Sequence, residues 1–255
     1  MELIQTERDL DLFTRQLLNI GEALYGSGSE ISTIEENLHI LGKAYGAEHV
    51  NVYAITSSIV VTIEYPGMSA VTQSRRVRRE STDLRRLDSL YSLCHRCSEA
   101  PIPVSELRAL VLKILAEKPS EKRTLCGQVI AAGCFVLFFG GSILDGLFGA
   151  FFGFVIWLLQ KYLRPLCSGA VFVNFLVSFA VGALTCVFAG LIPALSAEKI
   201  MIGDIMVLIP GIAITNSIRY TISGDSISGV EKLIASVLQA VGIASGFSLA
   251  ISLVL

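Results

Sequence analysis

Asp145, Asn174, Asp204, Asn216, Arg219 and Asp225 stand in a stretch that is otherwise almost continuously apolar, and Pro210-Gly211 interrupts one of its longest runs. Polar groups at such positions cost several kcal/mol unless they are satisfied, so each needs a reason to be there. Their types limit the chemistry available. A carboxylate can carry a proton, a guanidinium can hold a carboxylate through paired hydrogen bonds, and a carboxamide can both donate and accept. A Pro-Gly pair breaks the helical hydrogen-bond ladder and frees backbone carbonyls. For Asp145 and Asp204 two readings stand side by side. One is an interfacial cap, where a carboxylate meets the positive end of a helix dipole. The other is a proton or substrate site facing an internal cavity. Arg219 is likewise either a partner for an anion or an anchor at the membrane surface. Pro210-Gly211 is either a simple kink or a helix break that lines a cavity.

The elements that must position these residues follow from the distribution of charge. Of the 42 charged residues, 32 lie at or before Arg123, and the 132 residues from Thr124 onward carry only 10. That second stretch offers too little polar surface to face water and reads as a bundle of membrane spans. The expected fold class is a membrane protein: a cytoplasmic α+β domain over residues 1–120, then five transmembrane α-helices over 121–255. With roughly 20 residues needed to cross the hydrocarbon layer, the expected spans are about 124–141, 144–163, 169–192, 200–222 and 233–255. Lys113, Lys118, Lys122 and Arg123 place the start of the first span inside. Lys161 and Arg164 place the second connection inside, and Arg219 with Lys232 the last one. This predicts a multi-pass protein of the cell (inner) membrane with a cytoplasmic N-terminus. The opening residues carry too many charges for an apolar signal core. Gly149-x-x-x-Gly153 and Gly242-x-x-x-Gly246 are expected to let helix backbones approach closely.

In the first half, Leu10, Phe13, Leu17, Ile20 and Leu24 recur at helical spacing, as do Ile31, Ile34, Leu38, Leu41 and Tyr45. Tyr25-Gly-Ser-Gly28 reads as a turn between these helices, and Ser27 to Glu30 as a capping box for the second. The period then changes to two over 49–55, 58–64 and 70–76, predicting strands, with Pro66-Gly67 turning between the last two. Helices are expected again near 83–97 and 105–117. The Arg-rich stretch 75–79, with Arg85 and Arg86, reads as a solvated edge or as a contact for anionic headgroups.

Several classes have little to stand on. A formal net charge of −2 gives no basic field for nucleic acid. Cys94-His-Arg-Cys97 has a metal- or redox-type spacing, but a structural zinc site needs four ligands and no second pair lies nearby. All six cysteines are expected to be reduced. No metalloprotease, nucleophile-elbow or phosphate-loop motif is present, so neither an enzyme nor a cofactor is expected.

A set of ordered pieces resembles the threonine/serine exporter family, in particular its split form with a YjjP-like larger subunit. In the first half these are Leu24-Tyr-Gly-Ser-Gly-Ser-Glu-Ile31, Ala44-Tyr-Gly46, Val50-Asn-Val-Tyr-Ala54, Ile59-Val-Val-Thr62, Arg76-Val77 and Asp83-Leu-Arg-Arg-Leu87. In the second half they are Phe139-Gly-Gly141 with Asp145, Leu208-Ile-Pro-Gly211, Asn216-Ser-Ile-Arg219 and Gly224-Asp-Ser-Ile-Ser-Gly229. The resemblance implies a secondary exporter of small polar metabolites, either threonine and serine or dicarboxylates such as succinate. Family members in one long chain carry about twice as many spans, so it also implies a hetero-oligomer with a small membrane partner of four or five spans, which agrees with transport sites forming between paired repeats. On this expectation Asp204 or Asp145 carries a coupling proton, and the broken fourth span and Asn216 face the substrate. Arg219 pairs its carboxylate, with Asn174 and Asp225 further along the pathway. The first domain gates access or docks the partner. A membrane-anchored metabolite sensor or assembly module and a passive channel remain as alternatives.

Overall fold

The computed structural model describes residues 4–77, 82–117, 120–167 and 169–254. The chain divides into two compact units, Met1–Pro119 and Ser120–Leu255.

The first unit opens with helices α1 (Glu7–Gly26) and α2 (Ile31–Ala44), followed by strands β1 (His49–Ile55), β2 (Ser58–Glu64) and β3 (Val71–Arg76). Helices α3 (Leu84–Glu99) and α4 (Val104–Ala116) complete it. The strands form an antiparallel sheet in the order β1-β2-β3. Alternation puts Ile59, Val61 and Ile63 on the inner face, against Phe13, Leu17, Ile20 and Leu24 of α1 and Ile34, Leu38 and Leu41 of α2, all buried. Each such aliphatic side chain withdrawn from water contributes about 1.5–3 kcal/mol, so these helix stripes hold the layers together. Polar residues of β3 share that inner face and are tied to α1. Gln73 Nε2 donates to Asp11 Oδ1 at 2.5 Å, and Arg75 pairs with Glu22 at 3.1 Å and also reaches Asn19. Arg75 is therefore a strut between sheet and helix; Arg78 and Arg79 lie outside the described residues. The capping box expected before α2 is not formed. Glu30 is the N-cap and makes no side-chain cap bond, while Ser27 Oγ donates back to Ala23 O at 2.8 Å.

The second unit is helical: α5 (Glu121–Phe138), α6 (Ile143–Leu163), α7 (Ala170–Leu191), α8 (Ala197–Leu208), α9 (Gly211–Ile222) and α10 (Ser226–Val254). Three of these, α6, α7 and α10, are long and apolar enough to cross a membrane, and α8 with α9, bent by 52° at their break, would make a fourth. By length and composition alone, three spans or up to four are marked among the described residues, and the first of the five expected spans, on α5, is not among them. The reason lies in α5. Glu121, Lys122 and Arg123 fill its first turn, and its apolar remainder from Thr124 to Phe138 rises only about 22 Å. It ends at Phe138, where Gly140 (φ +81°) forms a Schellman cap with Gly140 N–H on Leu137 O and Gly141 N–H on Val136 O. One expected connection differs at α10. It starts at Ser226, so Lys232 lies in a helix and is buried, not in a connecting loop.

Small residues set the packing of this unit. A Cβ on Gly153 would stand 2.7 Å from the Ala132 Cβ, bringing α6 onto α5. One on Gly246 would stand 2.8 Å from the Ser178 Cβ and 2.9 Å from the Phe179 N, and one on Gly242 would stand 2.9 Å from the Val171 O, bringing α10 onto α7. Both glycine pairs of the sequence therefore mark helix–helix contacts within the chain. At one end of the α5–α6 pair, Lys161 Nζ meets Glu121 Oε2 at 2.6 Å and lies 4.9 Å over the Trp157 ring.

Candidate functional site

The two candidate acids of the second unit have different surroundings. Asp145 sits in the first turn of α6 as the third residue of a capping box. Its Oδ2 accepts from the Ser142 N–H and Oγ–H, each at 2.8 Å, while its own N–H donates to Ser142 Oγ at 3.1 Å. Its Oδ1 accepts from the Ser196 N–H at 2.8 Å, and Ser196 is the N-cap of α8. One carboxylate thus closes the starts of two helices, which is the work a cap does.

Asp204 is fully buried, and neither carboxylate oxygen has a hydrogen-bond partner. It lies on the inward stripe of α8 with Ile200, Met201 and Leu208, all buried. Next to it, Gly203 touches α5 so closely that a Cβ there would stand 2.8 Å from the Val136 N. An anion so placed would be costly by several kcal/mol, whereas a neutral acid is far easier to bury.

The break between α8 and α9 lies one turn beyond Asp204, about 6 Å along the helix axis. Pro210 (φ −77°, ψ 60°) is the centre of an inverse γ-turn, with Gly211 N–H on Ile209 O at 2.8 Å. Having no N–H, Pro210 cannot bond the Met206 carbonyl as a continuing helix would. Gly211 and Ile212 at the start of α9 are exposed. Asn216 is half-buried about one and a half turns from this end, and Arg219 is exposed in the last turn. Asn174 is buried on the α7 stripe that also carries Val173, Val177 and Ser178. Asp225 caps α10, its Oδ1 accepting from Ser228 N–H at 3.3 Å, while its Oδ2 is buried with no partner. Asp204 and Pro210–Gly211 are thus brought together on one broken element. Asp145 and Asp225 serve helix starts.

The sequence reading missed a second polar site. Lys232 lies on α10 against α9, with Nζ 3.3 Å from the Tyr220 Oη and 4.8 Å over the Tyr220 ring. Both residues are buried. Ser228 and Ser236 flank Lys232 by one turn on either side, and Ser217 and Thr221 face them from α9, giving a polar seam inside an apolar unit. The signal was available. Asp225 followed by Ser226 is a helix start, and Ser228, Lys232 and Ser236 repeat every four residues along one face.

In the first unit, Cys94 and Cys97 are buried on α3. Burial pushes the Cys94 thiol up to about 12 and raises Cys97 as well, so both are poor thiolates near neutral pH. Burial also raises the Tyr45 phenol to about 12. Tyr45 Oη donates to Ile102 O at 2.8 Å, and its ring stacks on Phe13 with centroids 4.5 Å apart. Among the described residues no group of three or more His, Cys, Asp or Glu side chains converges as a metal site would require.

Residues 15–254 match the model of the ThrE family, described as "Putative threonine/serine exporter". A "Probable threonine/serine exporter" of Mycobacterium tuberculosis (strain ATCC 25618 / H37Rv) is similar, with 24% identity over 244 residues. That match covers 92% of this chain but 46% of the relative, so the chain spans about half the length of the curated relative it matches. No solved structure matches. With its apolar helices and a family match over nearly the whole chain, this is a membrane protein of a transporter family: it belongs to the threonine/serine exporter family.

Proposed function

We propose that this chain is the larger subunit of a split secondary exporter. It would move small polar metabolites out of the cytoplasm, with threonine and serine as first candidates and dicarboxylates such as succinate as second. The observation that carries the reading is Asp204, a buried carboxyl with no partner, one turn from a helix break. Broken helices with nearby ionisable groups are the usual material of transport sites. In this account Asp204 carries the coupling proton. The break at Pro210 and Gly211, with Asn216, offers backbone and amide groups to the substrate. The α9–α10 seam supplies positive charge for a carboxylate, through Lys232 or Arg219. Asn174 and Asp225 lie further along the same pathway.

A split exporter needs a second component, because transport sites form between paired repeats. We take this to be a small membrane partner of four or five spans, making a hetero-oligomer. Its helices would flank the break, and α5 would count as a fifth span of this chain once its charged first turn lies at the bilayer surface. The first unit would face the cytoplasm at the inner membrane, on the side where Lys and Arg cluster.

Efflux from cells loaded with threonine, serine or succinate tests this, with the chain expressed alone and together with the partner. Faster loss of one solute in the two-component cells, abolished by Asp204→Asn at equal expression, is the expected result. Equal efflux with and without Asp204 would overturn the site assignment. Equal efflux with and without the partner would overturn the split.

A further inference from the structure

Helices α5 and α6 pack as an antiparallel hairpin. A Cβ on Gly149 would meet Ala132 and Val136 of α5, and one on Gly153 would meet Gln128, Val129 and Ala132. This register sets Lys161 level with Glu121, and their side chains meet at 2.6 Å. Four cations collect at this end: Lys122 and Arg123 in the first turn of α5, and Lys161 and Arg164 at the end of α6. On that register, at 1.5 Å of rise per residue, they fall within a slab about 7.5 Å deep.

Glu121 is taken by Lys161, which also lies 4.9 Å over the Trp157 ring. Lys122, Arg123 and Arg164 are exposed and, among the described residues, form no salt bridge. Three positive charges are therefore left uncompensated at one tip of a helix long and apolar enough to cross a membrane. Along α6 the chemistry changes in the order that it changes along a phospholipid. Charge stands at the tip, with Lys161 and Arg164. The aromatic rings of Trp157 and the exposed Tyr162 follow, as they do at the depth of headgroups and esters. Leu158, Phe154, Phe151 and Leu147 then recede from Tyr162 at intervals of three or four residues, forming one apolar stripe whose last three members are exposed.

We propose that this end of the α5–α6 hairpin is a binding site for an anionic phospholipid such as phosphatidylglycerol. The lipid phosphate lies among Lys122, Arg123 and Arg164, where the two guanidinium forks match its oxygens. Its ester region lies beside Trp157 and Tyr162, and an acyl chain follows the Leu147 stripe. A zwitterionic lipid would bring its own ammonium against the three cations. The bound lipid holds the charged first turn of α5 at the bilayer surface and ties it to the end of α6. The site follows from α6 crossing the bilayer and owes nothing to which solute is exported.

Thermal unfolding of the full chain in a neutral detergent, titrated with phosphatidylglycerol, tests the proposal. Saturating lipid should raise the melting temperature by at least about 4 °C, since a ligand bound to the folded state alone stabilises it. Phosphatidylcholine at the same mole fraction should raise it by less than about 1 °C, as its headgroup carries no net charge. Glycerol phosphate without chains should also raise it by less than about 1 °C, which separates a lipid from a soluble phosphate. The Lys122→Gln/Arg123→Gln/Arg164→Gln variant should need at least about tenfold more phosphatidylglycerol for half the effect. Arg164→Gln alone, just past the last turn of α6, should need at least about threefold more and decides the matter if the triple variant does not fold. No shift with phosphatidylglycerol would leave this end to a partner helix and overturn the proposal. Equal shifts with phosphatidylcholine or glycerol phosphate, or an unchanged titration in the variants, would overturn it too. No transport is measured, so failure here and failure of the export reading are distinguishable.

Discussion

The Ser196 N–H donates to Asp145 Oδ1 at 2.8 Å, joining the start of α8 to the start of α6 across 51 positions of sequence. The other oxygen of the same carboxylate closes the capping box with Ser142. The segment that carries Asp204 is therefore held in place by an acid whose hydrogen bonds are already made.

Asp145→Ala should destabilise the second unit by about 1–3 kcal/mol, the range for a lost cap plus a stranded backbone donor. Asp145→Asn, which keeps an acceptor oxygen, should lose less. Thermal unfolding of the purified protein in detergent checks the order. An Asp145→Ala variant as stable as wild type would show that the clasp contributes nothing.

Gly203 and Gly211 should respond oppositely to alanine. A Cβ at Gly203 meets the Val136 backbone, whereas one at Gly211 meets nothing within 4 Å. Gly203→Ala should cost about 1–3 kcal/mol through overpacking between α8 and α5. Gly211→Ala should leave stability within about 0.5 kcal/mol. Melting temperatures of the two variants in one detergent provide the comparison.

The buried thiol of Cys94 makes the first unit alkali-sensitive. Its folded value of about 12 lies above the ordinary 9.0, so the folded state holds the proton more tightly than the unfolded chain does. Its contribution is fully present below pH 9.0 and is lost as pH rises toward about 12. Tyr45 adds a similar loss between 10.0 and about 12. Denaturant midpoints measured at about pH 8, 9.5 and 11 should fall, and Cys94→Ala should flatten the part that begins lowest. Parallel pH profiles for the two proteins would count against it.

Lys232 and Tyr220 allow the seam to be dissected. Tyr220→Phe keeps the ring under the ammonium and removes only the hydroxyl at 3.3 Å. It should raise the KM for efflux by less than about fivefold, while Lys232→Met should raise it by at least about tenfold. If kcat alone fell in both, the seam would act through helix packing and not through the substrate.

The sequence revealed most of the first unit because its code is local. Helical stripes such as Leu10-Phe13-Leu17 and the alternation of Ile59, Val61 and Ile63 each report a buried face directly. The α2 cap was misread because Ser27 had a competing acceptor, the Ala23 carbonyl, which local spacing does not show. In the second unit the apolar runs and the Pro210 break were legible. The different roles of Asp145 and Asp204 were not, since the expected spans put both near helix starts and only tertiary contacts separate them. Ser196 N–H reaches Asp145 from 51 residues away, and nothing reaches Asp204. Lys232 was misplaced because a lysine beside an apolar run looks like a loop anchor until the helix start at Ser226 is recognised.

In the proposed mechanism Asp204 carries the proton that drives transport. Proteoliposomes holding both components, with an imposed pH gradient and labelled threonine, test it most directly. Asp204→Asn should abolish proton-driven accumulation while leaving threonine exchange at equal pH intact, because the amide fills the same space and cannot release a proton. Accumulation by Asp204→Asn equal to that of the wild type would contradict the account.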